Sequence, residues 1–149
     1  MSTAPSPAND HTPAEPDAPA LGTLAWLDLT VANAPQVRDF YQSVLHWKPT
    51  NVPMRDSPTP GTAPTYHDYA MAPATTPDSP ATGVCHARGP NTGLPAVWIP
   101  YFTVADVQQA VSAAQAAGGS LIGEIRPMGS GKVTFVRDPS GATFAVCGG

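Results

Sequence analysis

Positive charge is scarce in this chain: 149 residues carry 7 Lys and Arg against 11 Asp and Glu, for a formal net charge of −4. No basic stripe is available to neutralise a phosphate backbone, so nucleic acid is not expected as a partner. Long apolar runs are missing as well. No segment approaches the roughly 20 residues that a membrane-crossing helix needs, and no membrane partner is expected. Cysteine is limited to Cys85 and Cys147. The first twenty residues have neither the basic start nor the apolar centre of a secretory signal, so a cytoplasmic location with two free thiols is expected rather than a disulfide. Close-spaced ligand pairs of the H-x-x-x-H or C-x-x-C kind are absent too, and no metal or other cofactor is expected.

Proline, by contrast, is plentiful at 19 residues. It gathers in residues 1–20, read as a disordered Pro/Ala-rich tail, and again between Pro49 and Pro95, where it implies long, stiffened loops between strands. The remaining 21–149 suffices for a single domain. That segment repeats one phrase. Thr30-Val31-Ala32-Asn33 and Thr103-Val104-Ala105-Asp106 each follow an alternating apolar run and each precede a helical pattern. Both read as strand, cap, helix. Two similar modules, 21–92 and 93–149, are therefore expected to share one core, with a ligand site at their seam.

In the first module, Leu27, Leu29 and Val31 alternate with Trp26, Asp28 and Thr30 along a strand. Asn33 is placed to cap a helix with Val37, Phe40, Tyr41, Val44 and Leu45 on its buried side, ending near His46. A short strand starts near Trp47 and gives way to a long loop; Tyr66 to Met71 and Thr82 to Ala87 read as two further strands. In the second module a strand over Val97 to Val104 places Phe102 and Val104 on one face and Ile99, Tyr101 and Thr103 on the other. Asp106 caps a helix that Gly118-Gly119 ends. Ser120 to Ile125, Lys132 to Arg137 and Ala142 to Cys147 complete the strands, the last two joined by the tight turn Asp138-Pro139-Ser140-Gly141. Met128 to Lys132 lacks the glycine spacing of a phosphate loop and reads as a turn. The order is β-α-β-β-β, twice, and the fold class α+β.

This order resembles the vicinal oxygen chelate superfamily of glyoxalases, bleomycin-binding proteins and extradiol dioxygenases. The resemblance runs from Leu21 to the C-terminus. Its carriers are Phe40-Tyr41 with Leu45-His46-Trp47, similar to the family's "FY…LGW", and Asp138 to Phe144, similar to its "DPxGxxF". The resemblance implies modules related by a pseudo-twofold axis, a sheet curled into a cup that receives a small molecule, and helices outside. It also implies metal ligands at positions that carry Trp26, Ile99, Ala145 and, with a looser alignment, Gly83. None of these side chains can hold a divalent metal.

The candidate site follows from this. Trp26, with Trp98 and Tyr101, is expected as an aromatic wall, although Trp26 also suits the role of a plug in the cup. Asp28, on the same strand face as Trp26, is a carboxylate where burial would raise its pKa; it is the expected acid, base or acceptor, unless it serves only as a bond partner for a Thr, a Tyr or Arg137. Thr103 and Ala145 join the ligand-binding set, and His86 the catalytic one. Two readings remain: a metal-free binding protein for a small organic ligand, or an enzyme, using Asp28 with His86 or an atypical metal set of Asp28, His86 and Cys147. A homodimer is expected, with modules paired within one chain or exchanged between two.

Overall fold

The computed structural model describes residues 20–57 and 59–149. Apart from Ala20, the tail lies outside them. Eight strands and two helices follow in the order β1 (Leu24–Val31), α1 (Ala34–Leu45), β2 (Lys48–Met54), β3 (Tyr66–Ala72), β4 (Thr82–His86), β5 (Trp98–Val104), α2 (Val107–Ala116), β6 (Ser120–Met128), β7 (Gly131–Arg137) and β8 (Thr143–Gly148), with a single 3-10 turn at Gly89–Asn91 between β4 and β5. All eight strands form one sheet in the order β2-β3-β4-β1-β5-β8-β7-β6. Read outward from its centre, the order is the same in both directions. β1 pairs antiparallel with β5, and each pairs on its other side with a parallel strand, β4 or β8. This is the doubled β-α-β-β-β arrangement, an α+β fold.

Alternation assigns each face. Val37 and Tyr41 of α1 pack on a core of Ala34, Tyr69, Met71 and Val84. Val107, Ala110 and Ala114 of α2 pack with Val136 and Val146. The opposite face carries a third cluster, Ile99, Tyr101, Val133, Phe135, Ala145 and Cys147, with Trp26 against it. Helices thus cover one side of the sheet, and the side that carries Trp26 faces a cavity.

Several local expectations are refined. α1 ends as read: His46 takes the left-handed conformation at φ 57, where glycine is commoner. Asn33 precedes the helix, but its side chain caps nothing and its amide instead donates to Gln36 Oε1 at 2.6 Å. Asp106 does cap α2, accepting from the Gln109 N–H at 2.9 Å. Phe40, Val44 and Leu45, placed on the buried side of α1 from sequence, are exposed. Val37 and Tyr41 are the stripe residues that meet the sheet. β2 runs for seven residues despite Pro49 and Pro53 because it is an edge strand, where a missing N–H need not break a ladder. Among the described residues no helix is long and apolar enough to cross a membrane.

Candidate functional site

The concave side of the sheet encloses a cavity of about 570 Å³. Trp26 and Asp28 enter it from β1, Asp68 and Ala70 from β3, Gly83 and Cys85 from β4. From the other module come Tyr101 of β5, Val133 of β7 and Cys147 of β8. The two edge strands reach its mouth, Val52 and Met54 of β2 on one side and Arg126, Pro127 and Met128 of β6 on the other. Pro90 and Asn91 of the 3-10 turn complete the rim.

At its floor Trp26 and Tyr101 are direct partners across the β1–β5 seam. The Trp26 indole N–H donates to Asp28 Oδ1 at 2.6 Å, and Tyr101 lines the same floor. Asp28 pairs in register with Gly83. A Cβ on Gly83 would overlap Asp28 Oδ1, so any side chain there would displace the carboxylate. Burial is the main influence on Asp28 and holds its pKa above the ordinary 3.8; the Trp26 indole and the nearby Tyr101 hydroxyl oppose the rise, Asp68 adds to it and Arg126 counters it. Burial also pushes the Tyr101 hydroxyl up, with the neighbouring Asp28 charge reinforcing it, so Tyr101 stays a proton donor. Cys85 is likewise pushed up by burial and by Asp28 and Asp68, which removes it as a thiolate nucleophile.

The structure therefore brings Trp26, Asp28 and Tyr101 together. The other expected site residues stand elsewhere. Trp98 is on the helix side of β5, where its indole N–H donates to Tyr41 Oη at 3.1 Å and its ring meets Trp47 edge-on; its even position in the strand opposes that of Tyr101, so it cannot line the cup. Thr103 shares the parity of Tyr101 but lies past the cavity, its backbone bonded to Gly22 and Thr23. Ala145 is fully buried in the cluster beneath Tyr101 and Phe135 and does not reach the cavity surface. His86 ends β4 outside the lining, its Nδ1 3.1 Å from Asp68 Oδ1 and its N–H donating to the same oxygen at 2.8 Å. Arg137, considered as a partner for Asp28, belongs to β7 and pairs with Ser120 and Thr143.

Two charged lining residues escaped the sequence reading. Asp68 is buried and faces the cup. It shares a strand face with Ala70, but nothing in the sequence fixed which face of β3 turns inward. Arg126 follows an irregularity that shifts the β6–β7 register between Ile122 and Arg126, which no periodicity announces.

The fold family implies a divalent metal in this cup, and the residues do not fit one. Its expected positions present an indole, a bare backbone, an apolar branched chain and a methyl group at Trp26, Gly83, Ile99 and Ala145. Among the described residues no three of His, Cys, Asp and Glu stand together as a ligand group, and Asp28, His86 and Cys147 do not form one. What the floor can do is accept a hydrogen bond or proton at Asp28 and present a flat aromatic surface.

Comparison with known proteins agrees with this geometry at the level of fold and family. The glyoxalase/bleomycin resistance protein/dioxygenase superfamily model matches residues 23–146. The anthracycline biosynthesis protein DauV of Streptomyces sp. (strain C5) is 32% identical over 134 residues, covering 85% of this chain and 47% of its own. A putative glyoxylase, CFP32, of Mycobacterium bovis is 29% identical over 128 residues, covering 84% and 45%. The chain thus spans about half the length of these relatives. The crystal structure of methylmalonyl-CoA epimerase from Mycobacterium tuberculosis superposes with a TM-score of 0.52 at 14% identity, covering 88% of this chain and 91% of that one, a likeness of fold. The chain belongs to the glyoxalase/bleomycin resistance protein/dioxygenase superfamily.

Proposed function

We propose that this protein binds a small, flat organic molecule in the cup between its two modules, without a metal at the positions the family uses for one. The observation that carries this reading is the Trp26–Asp28–Tyr101 constellation. An indole face and a desolvated carboxylate occupy the floor of a cavity large enough for a compact polycyclic ligand. Such a floor takes a ligand that donates a hydrogen bond, for instance a phenol or an enol, whereas a metal takes a ligand that offers oxygen lone pairs. The 32% identity to an anthracycline biosynthesis protein is in keeping with a fused-ring ligand.

A second reading, catalysis without metal, draws support from the raised pKa of Asp28, which suits a general base better than an ordinary carboxylate does. His86 has no part in it, since it lies outside the cup lining with its imidazole on Asp68 at the end of β4.

Fluorescence titration with naphthol, on protein purified without a metal-binding tag and checked by elemental analysis, tests the binding reading. Saturable binding to metal-poor protein is expected, weakened about tenfold or more in Trp26→Ala, the order lost with one aromatic contact face. A divalent metal near one equivalent per chain, lost together with binding in Asp28→Asn, would overturn the metal-free reading. Binding unchanged in Trp26→Ala would overturn the site.

A further inference from the structure

A second cavity, of about 470 Å³, adjoins the first. Leu94, Ile122 and Phe135 give it apolar walls, while Thr92 and Glu124 stand at its edge. Only Arg126 and Pro90 line both cavities. The wall between them is therefore one long side chain and one turn of backbone. Arg126 Nη1 donates to the Pro90 carbonyl, Nη2 donates to Asn91 Oδ1 at 2.9 Å, and the guanidinium lies 5.1 Å from the centre of the Phe135 ring. A guanidinium has five N–H donors, and these two bonds leave three. Arg126 takes part in none of the ion pairs among the described residues. A cation with spare donors and no carboxylate thus faces the junction of two cavities. Its strand is interrupted at this point: the register of β6 on β7 shifts between Ile122 and Arg126, and Gly123 sits at φ 71.

We propose that the two cavities are compartments of one binding site, which takes an elongated ligand. A flat head lies on Trp26 and Asp28, a carboxylate or carbonyl oxygen in its middle meets Arg126, and an uncharged apolar arm extends over Leu94, Ile122 and Phe135. This rests on the reading of the cup given above and adds to it the length and chemistry of the ligand. The two Arg126 bonds to the 3-10 turn are the contacts the middle group competes with. Glu124, in the lining of the second cavity, disfavours a negative charge on the arm, which favours Arg126 as the place for any anionic group.

Three probes separate these parts: naphthol, the hydroxynaphthoate that adds a carboxylate to it, and that acid's hexyl ester. Affinities are measured by titration on the full chain. Hydroxynaphthoate is expected to bind about tenfold more tightly than naphthol, the order of one charge-assisted hydrogen bond. Arg126→Met should remove that gain, read as the ratio of the two affinities in the same variant, and Arg126→Lys should restore part of it. The hexyl ester is expected to gain about tenfold or more through its arm. Filling the second cavity by Leu94→Trp, or by Thr92→Trp at its exposed rim should Leu94→Trp fail to fold, is expected to abolish only the arm's gain. If naphthol binds and neither extension improves on it, or if the filling variants weaken all three probes equally, the second compartment is overturned and the reading of the cup stands. If naphthol itself does not bind, the cup reading falls and this proposal falls with it.

Discussion

Asp28 is the residue on which the chemistry of the cup turns, because it is an acid held in a place that favours its neutral form. Its pKa is raised above 3.8 chiefly by burial. Between 3.8 and that higher folded value the native state holds a proton that the unfolded state has released, so this group's contribution to stability improves as pH falls through the window and worsens as pH rises. Asp28→Asn keeps an oxygen to accept from the Trp26 indole but carries no charge at any pH. It is therefore expected to raise the thermal midpoint relative to wild type at neutral pH, with the difference closing as pH approaches 3.8. Thermal unfolding of both proteins over a pH series checks this, and a constant offset would show that desolvation of Asp28 is not felt by the fold. Asp56 and Asp138, whose carboxyls are held below their ordinary value by Arg88 and by Ser140 respectively, titrate in both proteins and cancel from the comparison. Naphthol should bind less tightly to the Asn variant at neutral pH, because the charged acceptor is gone.

At the scale of single elements, two capping residues that look alike in sequence differ in what they hold. Asp106 accepts the Gln109 N–H, whereas Asn33 makes no side-chain cap bond. Asp106→Ala is thus expected to cost about 1 kcal/mol of unfolding free energy, typical of a lost N-cap, and Asn33→Ala only a few tenths. Denaturant titration distinguishes them; equal losses would mean that Asn33 caps α1 in solution. The same contrast shows what the sequence carried. Strict alternation in Trp26 to Val31 and Ile99 to Val104 was enough to bring Trp26, Asp28 and Tyr101 to one face, because a one-residue slip would have turned Leu29 and Val31 into the cup. The turn from Asp138 to Gly141 was equally legible: Asp138 Oδ1 accepts from Ser140 N–H, Ser140 Oγ and Ala142 N–H, the local bonding that Asp and Gly signal at such positions. Elements whose placement rests on distant partners were not legible. β2 reads as a short strand giving way to loop because of its prolines, and it extends over seven residues through its full-length pairing with β3. Asp68 and Arg126 lie on strands whose inward face is set by that pairing and by the irregularity in β6, both properties of the assembled sheet.

For the molecule as a whole, what joins the two halves is the β1–β5 seam at the centre of the sheet and a few side chains that cross it. Trp98 is the largest of these. It leaves β5 in the second half and inserts into the aromatic group of the first, with the Tyr41 ring centre at 5.2 Å and that of Trp47 at 6.0 Å, both edge-on, and with its indole N–H on the Tyr41 hydroxyl. Edge-on aromatic pairs add to what burial alone provides, and here the gain accrues to contact between halves. Arg126 makes a second crossing, from β6 to the 3-10 turn. Trp98→Ala is therefore expected to lower unfolding free energy by about 3 kcal/mol, the low end for a Trp truncation because Trp98 is only partly buried. Naphthol affinity at temperatures where the variant remains folded should be unchanged, since Trp98 faces away from the cup. If the halves depend on each other as this packing implies, the variant still unfolds in one cooperative transition followed identically by tryptophan fluorescence and far-ultraviolet circular dichroism. Two separated transitions would show instead that each half is stable alone and that the seam between them is weak. A loss of naphthol binding without loss of stability would return Trp98 to the ligand wall.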